Sequence, residues 1–189
     1  MSGFEIITIT LSFILGLGVA QVLSSLSQAL RTRRRRPLHW LPLGYAASIF
    51  LFQIQYWFAV FDLEAAVEQW TWLIYGSLLL LGVLLFLGAG LVLPHGEVEG
   101  DDLLADFESE GRLSVLLVAG YLVGWMPLNA YLDSSWLTDG VYFNALVSTV
   151  LLVAYFPTSS RTRTAASVLF FILQAYGLAF VWSTPVVLG

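Results

Sequence analysis

Apolar residues fall in six long stretches, and most charged residues lie between these stretches or at their ends. A helix needs about 20 mainly apolar residues to cross the hydrocarbon core of a bilayer. The pattern therefore predicts an all-α membrane protein with six transmembrane helices in a single domain, residues 1–189. The predicted spans are Phe4–Leu30, Leu41–Phe61, Trp70–Leu93, Leu113–Leu132, Val141–Phe156 and Ala165–Trp182.

The composition agrees with this class and excludes several kinds of site. The chain is 58% hydrophobic and 11% charged, whereas a soluble domain carries about 25% charged residues. It has no cysteine and no lysine, which excludes disulfides, thiolate metal sites, Schiff-base cofactors and a P-loop. No basic segment or small-residue cleavage site accompanies the first stretch, so we expect a retained helix and not a signal peptide.

The basic residues are all arginines, and they flank one end of the predicted bundle. They follow span one, precede span four or lie between spans five and six, at Arg31, Arg33, Arg34, Arg35, Arg36, Arg112, Arg161 and Arg163. The positive-inside rule makes this end cytoplasmic and places both termini outside. The outer segments hold six acids and no base. Such a face would concentrate cations, although acids on external loops are also common as solvated groups.

Polar side chains recur in the outer halves and middles of the predicted spans. Five helices contribute them, at Glu5, Gln53, Gln55, Asn129, Asn144 and Gln174. If they converge, they form a polar cavity or pore that opens to the outside, since polar groups in a membrane need partners or water. The alternative is pairwise hydrogen bonding between helices, at about 0.6 kcal/mol for each bond.

Small residues recur every four positions along span one. Ser12, Gly16, Ala20, Ser24 and Gln28 lie on one helical face. Small residues allow close approach of helices in lipid, which favours helix packing. The alternatives are that the stripe lines a pore or forms a contact between subunits of an oligomer.

Span four carries a pair of glycines and a proline, Gly120, Gly124 and Pro127. The proline lacks an amide hydrogen and strains the preceding turn, which predicts a kink near Val123. The kink is either structural or a hinge.

The predicted cytoplasmic loops, 31–39 and 94–112, carry opposite charge. Arg33, Arg34, Arg35 and Arg36 are expected to contact lipid headgroups, since each basic residue gains about 1 kcal/mol near an anionic leaflet. The second loop is acidic, and Leu103, Leu104 and Phe107 within it could form one face of a short amphipathic helix. An anionic leaflet repels such a helix, so it would dock on protein, with the arginine run as its candidate partner. The alternative is a solvated, flexible loop.

The sequence offers no catalytic or metal-binding constellation. Its two histidines, His39 and His95, lie at span ends, where paired haem ligation is not expected. No nucleophile–base pair can be identified. We therefore expect no metal, no cofactor, no nucleic-acid partner and no enzymatic activity.

Part of the chain resembles a known group of proteins. The opening Phe4-Glu5-Ile6-Ile7, the segment from Phe13 to Gln21, and the arginine run followed by His39-Trp40 resemble the N-terminus of small bacterial inner-membrane proteins of unassigned function. This resemblance covers the first third of the chain and implies no activity. The six-span plan with both ends outside is similar in topology to that of the proton-gated urea channels, without their motifs.

Three functions are compatible with this pattern. The leading hypothesis is a homo-oligomeric channel or facilitative transporter for a small cation or polar solute, in a bacterial inner membrane. The alternative is a non-catalytic membrane partner or sensor subunit that docks another protein through its cytoplasmic loops. The third is a membrane enzyme that acts on a lipid or quinone.

Overall fold

The chain folds into helices throughout the part that the structure describes. A computed structural model describes residues 3–67, 70–94, 102–132, 135, 138–156 and 159–183. They form α1 (Gly3–Thr32), α2 (Trp40–Ala66), α3 (Trp72–Leu91), α4 (Leu103–Asp106), a π-helical turn (Phe107–Gly111), α5 (Arg112–Leu132), α6 (Asp139–Tyr155) and α7 (Ser160–Ser183). The all-α prediction is confirmed, and each of the six predicted spans overlaps one helix, α1, α2, α3, α5, α6 or α7.

Four helical stretches among the described residues are long and apolar enough to cross a membrane. They are Phe4–Thr32, Trp40–Phe61, Trp72–Leu91 and Leu103–Tyr131, the last of which joins α4, the π-helical turn and α5. The protein is therefore a candidate multi-pass membrane protein. Helix α6 is apolar but has only 17 residues, a length of about 25 Å at 1.5 Å per residue. Helix α7 has 24 residues and begins with Arg161 and Arg163 in its first turn.

Side-chain caps explain where several helices begin. Thr71 and Thr138 each accept a hydrogen bond from the backbone amide three residues further on, at 3.4 Å in both cases. Nδ1 of His39 accepts the Leu41 amide at 3.2 Å at the start of α2. Each cap satisfies an amide that has no partner within its helix. The same chemistry starts α4, where Asp102 accepts the Leu104 amide at 2.9 Å.

The long helices alternate in direction, as their contacts show. Gly82 of α3 lies beside Leu11 of α1 and Gly90 lies beside Gln21, so α1 and α3 run parallel. Gly111 of the π-helical turn and Gly120 and Gly124 of α5 lie beside Leu91, Leu84 and Leu81 of α3, in reverse order, so α5 and α3 run antiparallel. Helix α6 contacts α7 antiparallel, through Phe143 and Gly177. Helix α2 runs parallel to α7, since Tyr45 contacts Ser167 and Ser48 contacts Gln174.

This alternation brings one set of helix ends together. The C-termini of α1, α3 and α6 and the N-termini of α2, α5 and α7 lie on the side of the bundle that carries the arginines. We call this side the arginine end. Helix α2 is central and contacts α1, α3, α4, α5 and α7. Its residues Tyr45, Ile49, Gln53 and Tyr56 are at most 2% exposed.

The acidic segment at the arginine end is folded. Leu103 and Phe107 are buried, at 4% exposure each. The ring of Phe107 stacks on that of Tyr45 with centroids 5.4 Å apart. The predicted short amphipathic helix is thus confirmed as α4, continued by the π-helical turn, and Leu103 and Phe107 form its apolar face.

Candidate functional site

Aromatic side chains fill the centre of the bundle. Tyr56 meets Tyr121 and Trp125 edge to face, with centroids 6.0 and 5.8 Å apart. Its hydroxyl donates to the Leu78 carbonyl at 2.6 Å. Phe52 and Phe170 continue this packing toward Tyr45. Because these rings are in contact and nearly all are less than 9% exposed, they fill the part of the core that they occupy with protein atoms.

Three of the six polar residues predicted to line a cavity lie at three different helix interfaces. Gln174 donates to the Ser48 carbonyl at 3.0 Å, between α7 and α2. The Asn129 amide lies beside Gly140, between α5 and α6. Gln53 lies beside Gly18, between α2 and α1. These three contacts are pairwise. Glu5 is exposed near the start of α1, and Gln55 and Asn144 are half-buried.

Gln53 is the most unusual of these residues. It is 1% exposed, and neither its amide nitrogen nor its amide oxygen has a hydrogen-bond partner among the described residues. The amide lies against Gly18, where a Cβ atom would lie 3.3 Å from the Gln53 amide carbon. A buried amide without partners costs about 1–3 kcal/mol. Sequence alone did not distinguish it from Gln174.

The small-residue face of α1 points away from the rest of the chain. Gly16, Ala20 and Ser24 are exposed, and Ser12 and Gln28 are half-buried. A Cβ atom at Gly16 would meet nothing within 4 Å. The face that packs inside the protomer carries Ile7, Leu11, Leu15 and Val22 instead. At Gly16, Ala20 and Ser24 the stripe is not covered by the described residues of the chain, and contact between copies stays a prediction.

The two glycines of α5 differ in their surroundings. A Cβ atom at Gly124 would lie 2.6 Å from Cδ2 of buried Leu81, whereas one at Gly120 would lie 3.8 Å from the nearest atom of Leu84. Gly124 therefore allows the close approach of α5 and α3. Pro127 lies inside α5, which continues to Leu132; the kink near Val123 stays a prediction.

The arginine end is tied together by charged groups. Arg36 forms an ion pair with Asp106. Arg163 of α7 pairs with Glu108 of the π-helical turn at 2.9 Å. The predicted docking of the acidic segment on the arginine run is thus confirmed for Arg36. Arg33, Arg34 and Arg35 are exposed, and their contact with lipid headgroups stays a prediction.

Arg112 joins α5 to α6. Its guanidinium donates to the Tyr155 carbonyl and lies 5.6 Å from the centroid of the Tyr155 ring. The carbonyls at a helix C-terminus lack partners within the helix, and a cation there also complements the helix dipole. Arg112 and Arg163 were not among the predicted site residues, although an acidic loop between arginine-bearing helix ends was a signal for such pairs.

A cavity of about 170 Å³ lies among these groups at the arginine end. It lies between α2, α4, the π-helical turn, α5, α6 and α7, and we call it the arginine-end cavity. Its polar lining includes His39, Glu108, Arg112, Arg163 and Ser167. The hydroxyls of Ser167 and Tyr45 are 2.9 Å apart at its wall. His95 lies outside the described residues.

Comparison with known proteins gives no relative. No family model, no curated protein and no solved structure matches the chain.

Proposed function

We propose that this chain is a non-catalytic membrane protein that docks a protein partner on its arginine end, as a sensor or adaptor subunit. One observation carries the proposal: the acidic segment 102–111 is folded and held by arginines from two other segments, through Arg36–Asp106 and Arg163–Glu108. A segment anchored in this way presents a defined surface. Docking interfaces depend on such surfaces, because little entropy is then lost on binding.

The exposed charges support a protein partner over a lipid surface alone. Asp102, Glu108 and Glu110 are exposed, and an anionic leaflet repels such groups. Arg33, Arg34 and Arg35 are exposed on the neighbouring connection. The mixed surface suits a partner of complementary mixed charge in the cytoplasm. In this proposal the chain spans a bacterial inner membrane six times with both termini outside, an orientation supported by the alternating helices and the positive-inside rule.

Site-specific photocrosslinking in native membranes tests this proposal. The chain has no cysteine, so a single cysteine at Ala105 on α4 can carry a crosslinker. A cysteine at Ala66, exposed at the opposite end of α2, is the matched control. We expect one defined heterologous adduct from A105C, none from A66C, and loss of the adduct when D106N/E108Q is added. Adducts of equal yield from both ends, or an adduct that survives D106N/E108Q, would count against docking.

A second candidate function, solute conduction by a homo-oligomer, is supported by a separate observation. The small-residue face of α1, with Gly16 open to its surroundings, could join copies of the chain into a homo-oligomer. The aromatic centre is filled, so a channel or facilitative transporter for a small cation or polar solute would conduct between protomers. Close helix contacts through small residues are the usual means of association in lipid.

A pair of glycine substitutions tests this second function. Gly16 and Gly76 are both exposed helical glycines without atoms within 4 Å of a Cβ position, but only Gly16 belongs to the stripe. We expect G16L to abolish both the oligomer and solute flux in proteoliposomes, and G76L to preserve both. A monomeric wild-type protein, or flux that persists in G16L, would contradict the channel.

A further inference from the structure

The arginine-end cavity combines positive charge with apolar walls. Arg112 and Arg163 line it, and Glu108 is the carboxylate among the lining residues that the structure describes. Leu41, Leu104, Phe107 and Val115 supply apolar surface on other sides. Trp40 also lines the cavity and is 47% exposed, which suits the amphipathic indole to the headgroup level of a bilayer. Such a lining suits an anionic group joined to an apolar body.

Backbone and side-chain donors add to this charge. The cavity is bordered by His39, the N-cap of α2, and by Trp40 and Ser160, the first residues of α2 and α7, where the helix dipoles favour an anion. Nδ1 of His39 accepts the Leu41 amide at 3.2 Å. A neutral ring therefore carries its proton on Nε2, which is then a hydrogen-bond donor. Arginine, a histidine donor and helix N-termini are the groups with which proteins bind phosphate.

The size and position of the cavity further restrict the kind of ligand that it can hold. At about 170 Å³ the cavity is smaller than the roughly 300–1,000 Å³ of sites for whole drug-sized molecules. It lies at the ends of helices that are apolar enough to cross a membrane. When these helices span a bilayer, the lipid headgroups lie at the level of the helix ends and therefore at the level of the cavity.

We propose that the arginine-end cavity binds the phosphate group of an anionic membrane phospholipid, with Arg163, Arg112 and His39 as its donors. Glu108 pairs with Arg163 at 2.9 Å, so in this proposal its carboxylate competes with the phosphate for the Arg163 guanidinium. A bound phosphate takes the place of this carboxylate on Arg163. Lipid binding thereby loosens one of the two ion pairs that hold the acidic segment. The site does not depend on a protein partner.

Three variants distinguish the effect of the Arg163 positive charge from the effect of the Arg163–Glu108 ion pair. R163Q removes a cavity cation and breaks the ion pair. E108Q breaks the same ion pair but keeps the guanidinium. R161Q removes an equal charge from exposed Arg161, two residues away on the same helix and outside the cavity lining, and is the matched control.

The measurement is native mass spectrometry of the full chain, titrated with phosphatidylglycerol or with phosphatidylcholine as the neutral reference. We expect the wild-type protein to bind phosphatidylglycerol more tightly than phosphatidylcholine. R163Q should lose about tenfold in affinity for phosphatidylglycerol, and R161Q should change it by less than about twofold, because surface attraction is weak. E108Q should bind phosphatidylglycerol more tightly. Equal losses in R163Q and R161Q would reduce the effect to general surface charge and overturn the site. Weaker binding of phosphatidylglycerol by E108Q would contradict competition between Glu108 and the phosphate for Arg163.

Inorganic phosphate distinguishes the two sources of the same chemistry. Displacement of phosphatidylglycerol by inorganic phosphate at equal concentration would assign the cavity to a soluble phosphate and overturn the lipid assignment. Retention of the lipid under these conditions supports it. If R163Q fails to fold, E108Q and R161Q still decide the question, since both keep the cavity cations.

Discussion

Arg36, in the connection between α1 and α2, forms an ion pair with Asp106 at the end of α4, 70 residues further along the chain. Both side chains are largely buried, at 15% and 24% exposure. The pair fixes the acidic segment against the base of α2, where Phe107 stacks on Tyr45. Two segments of opposite charge that could have remained solvated thus form one folded surface.

Breaking this pair should loosen the acidic segment. We expect D106N to accelerate amide hydrogen exchange across residues 103–108 by about fivefold, the equivalent of about 1 kcal/mol, at the upper end for ion pairs near a surface. R36Q should act alike, and the double variant should add little to either single one, because both remove the same interaction. E110Q, at an exposed acid on the same segment, is the control and should leave exchange unchanged. Additive effects of R36Q and D106N would show that the two side chains act separately.

The two buried glutamines should respond in opposite ways to the same substitution. Q53L removes an amide without described partners and should raise the melting temperature, because about 1–3 kcal/mol of desolvation cost disappears. Q174L deletes the hydrogen bond to the Ser48 carbonyl and should lower it. Thermal unfolding followed by tryptophan fluorescence measures both. A lower melting temperature in Q53L would mean that Gln53 holds a bound group that leucine cannot replace.

Sequence predicted the helices well because the bilayer constrains them locally. A span is recognised from its own length and apolar content, and the position of Arg112 or Arg163 at a helix end is visible without knowledge of any neighbour. The direction of each helix follows because successive spans alternate in direction. The contacts of Gly82 with Leu11 and of Gly90 with Gln21, which make α1 and α3 parallel, agree with this alternation.

The site was harder to predict because it depends on which helix faces meet. The stripe through Gly16 and the face through Leu15 are equally regular in sequence, and only packing against α2 and α3 decides that the second is buried. Likewise, Gln53 and Gln174 have the same chemistry. Gln53 lies against Gly18 and Gln174 lies against Ser48, each on another helix, and only Gln174 has a hydrogen-bond partner among the described residues.

The glycine pair of α5 should be unequal under substitution. G124A places a Cβ atom 2.6 Å from Cδ2 of Leu81, a side chain that is 1% exposed and has little room to move. We expect a loss of about 1–3 kcal/mol, as for overpacking in other cores. G120A meets its nearest atom at 3.8 Å and should be neutral or slightly stabilising. Equal melting temperatures of the two variants would contradict the close contact between α3 and α5 at Gly124.

The arginine end should face the cytoplasm. Single cysteines at Ala66 and Ser109 lie at opposite ends of the bundle, and both positions are exposed. A maleimide that cannot cross membranes should label A66C in intact cells and label S109C only after permeabilisation, since the arginines hold their end inside. Parent protein without cysteine gives the background. Replacing Arg33, Arg34 and Arg35 by glutamine should produce a mixed population, with S109C partly labelled from outside, because these three contribute to orientation without a role in the Arg36–Asp106 pair. Labelling of S109C in intact cells of the unmodified background would reverse the assigned orientation and move the arginine-end cavity to the outer leaflet.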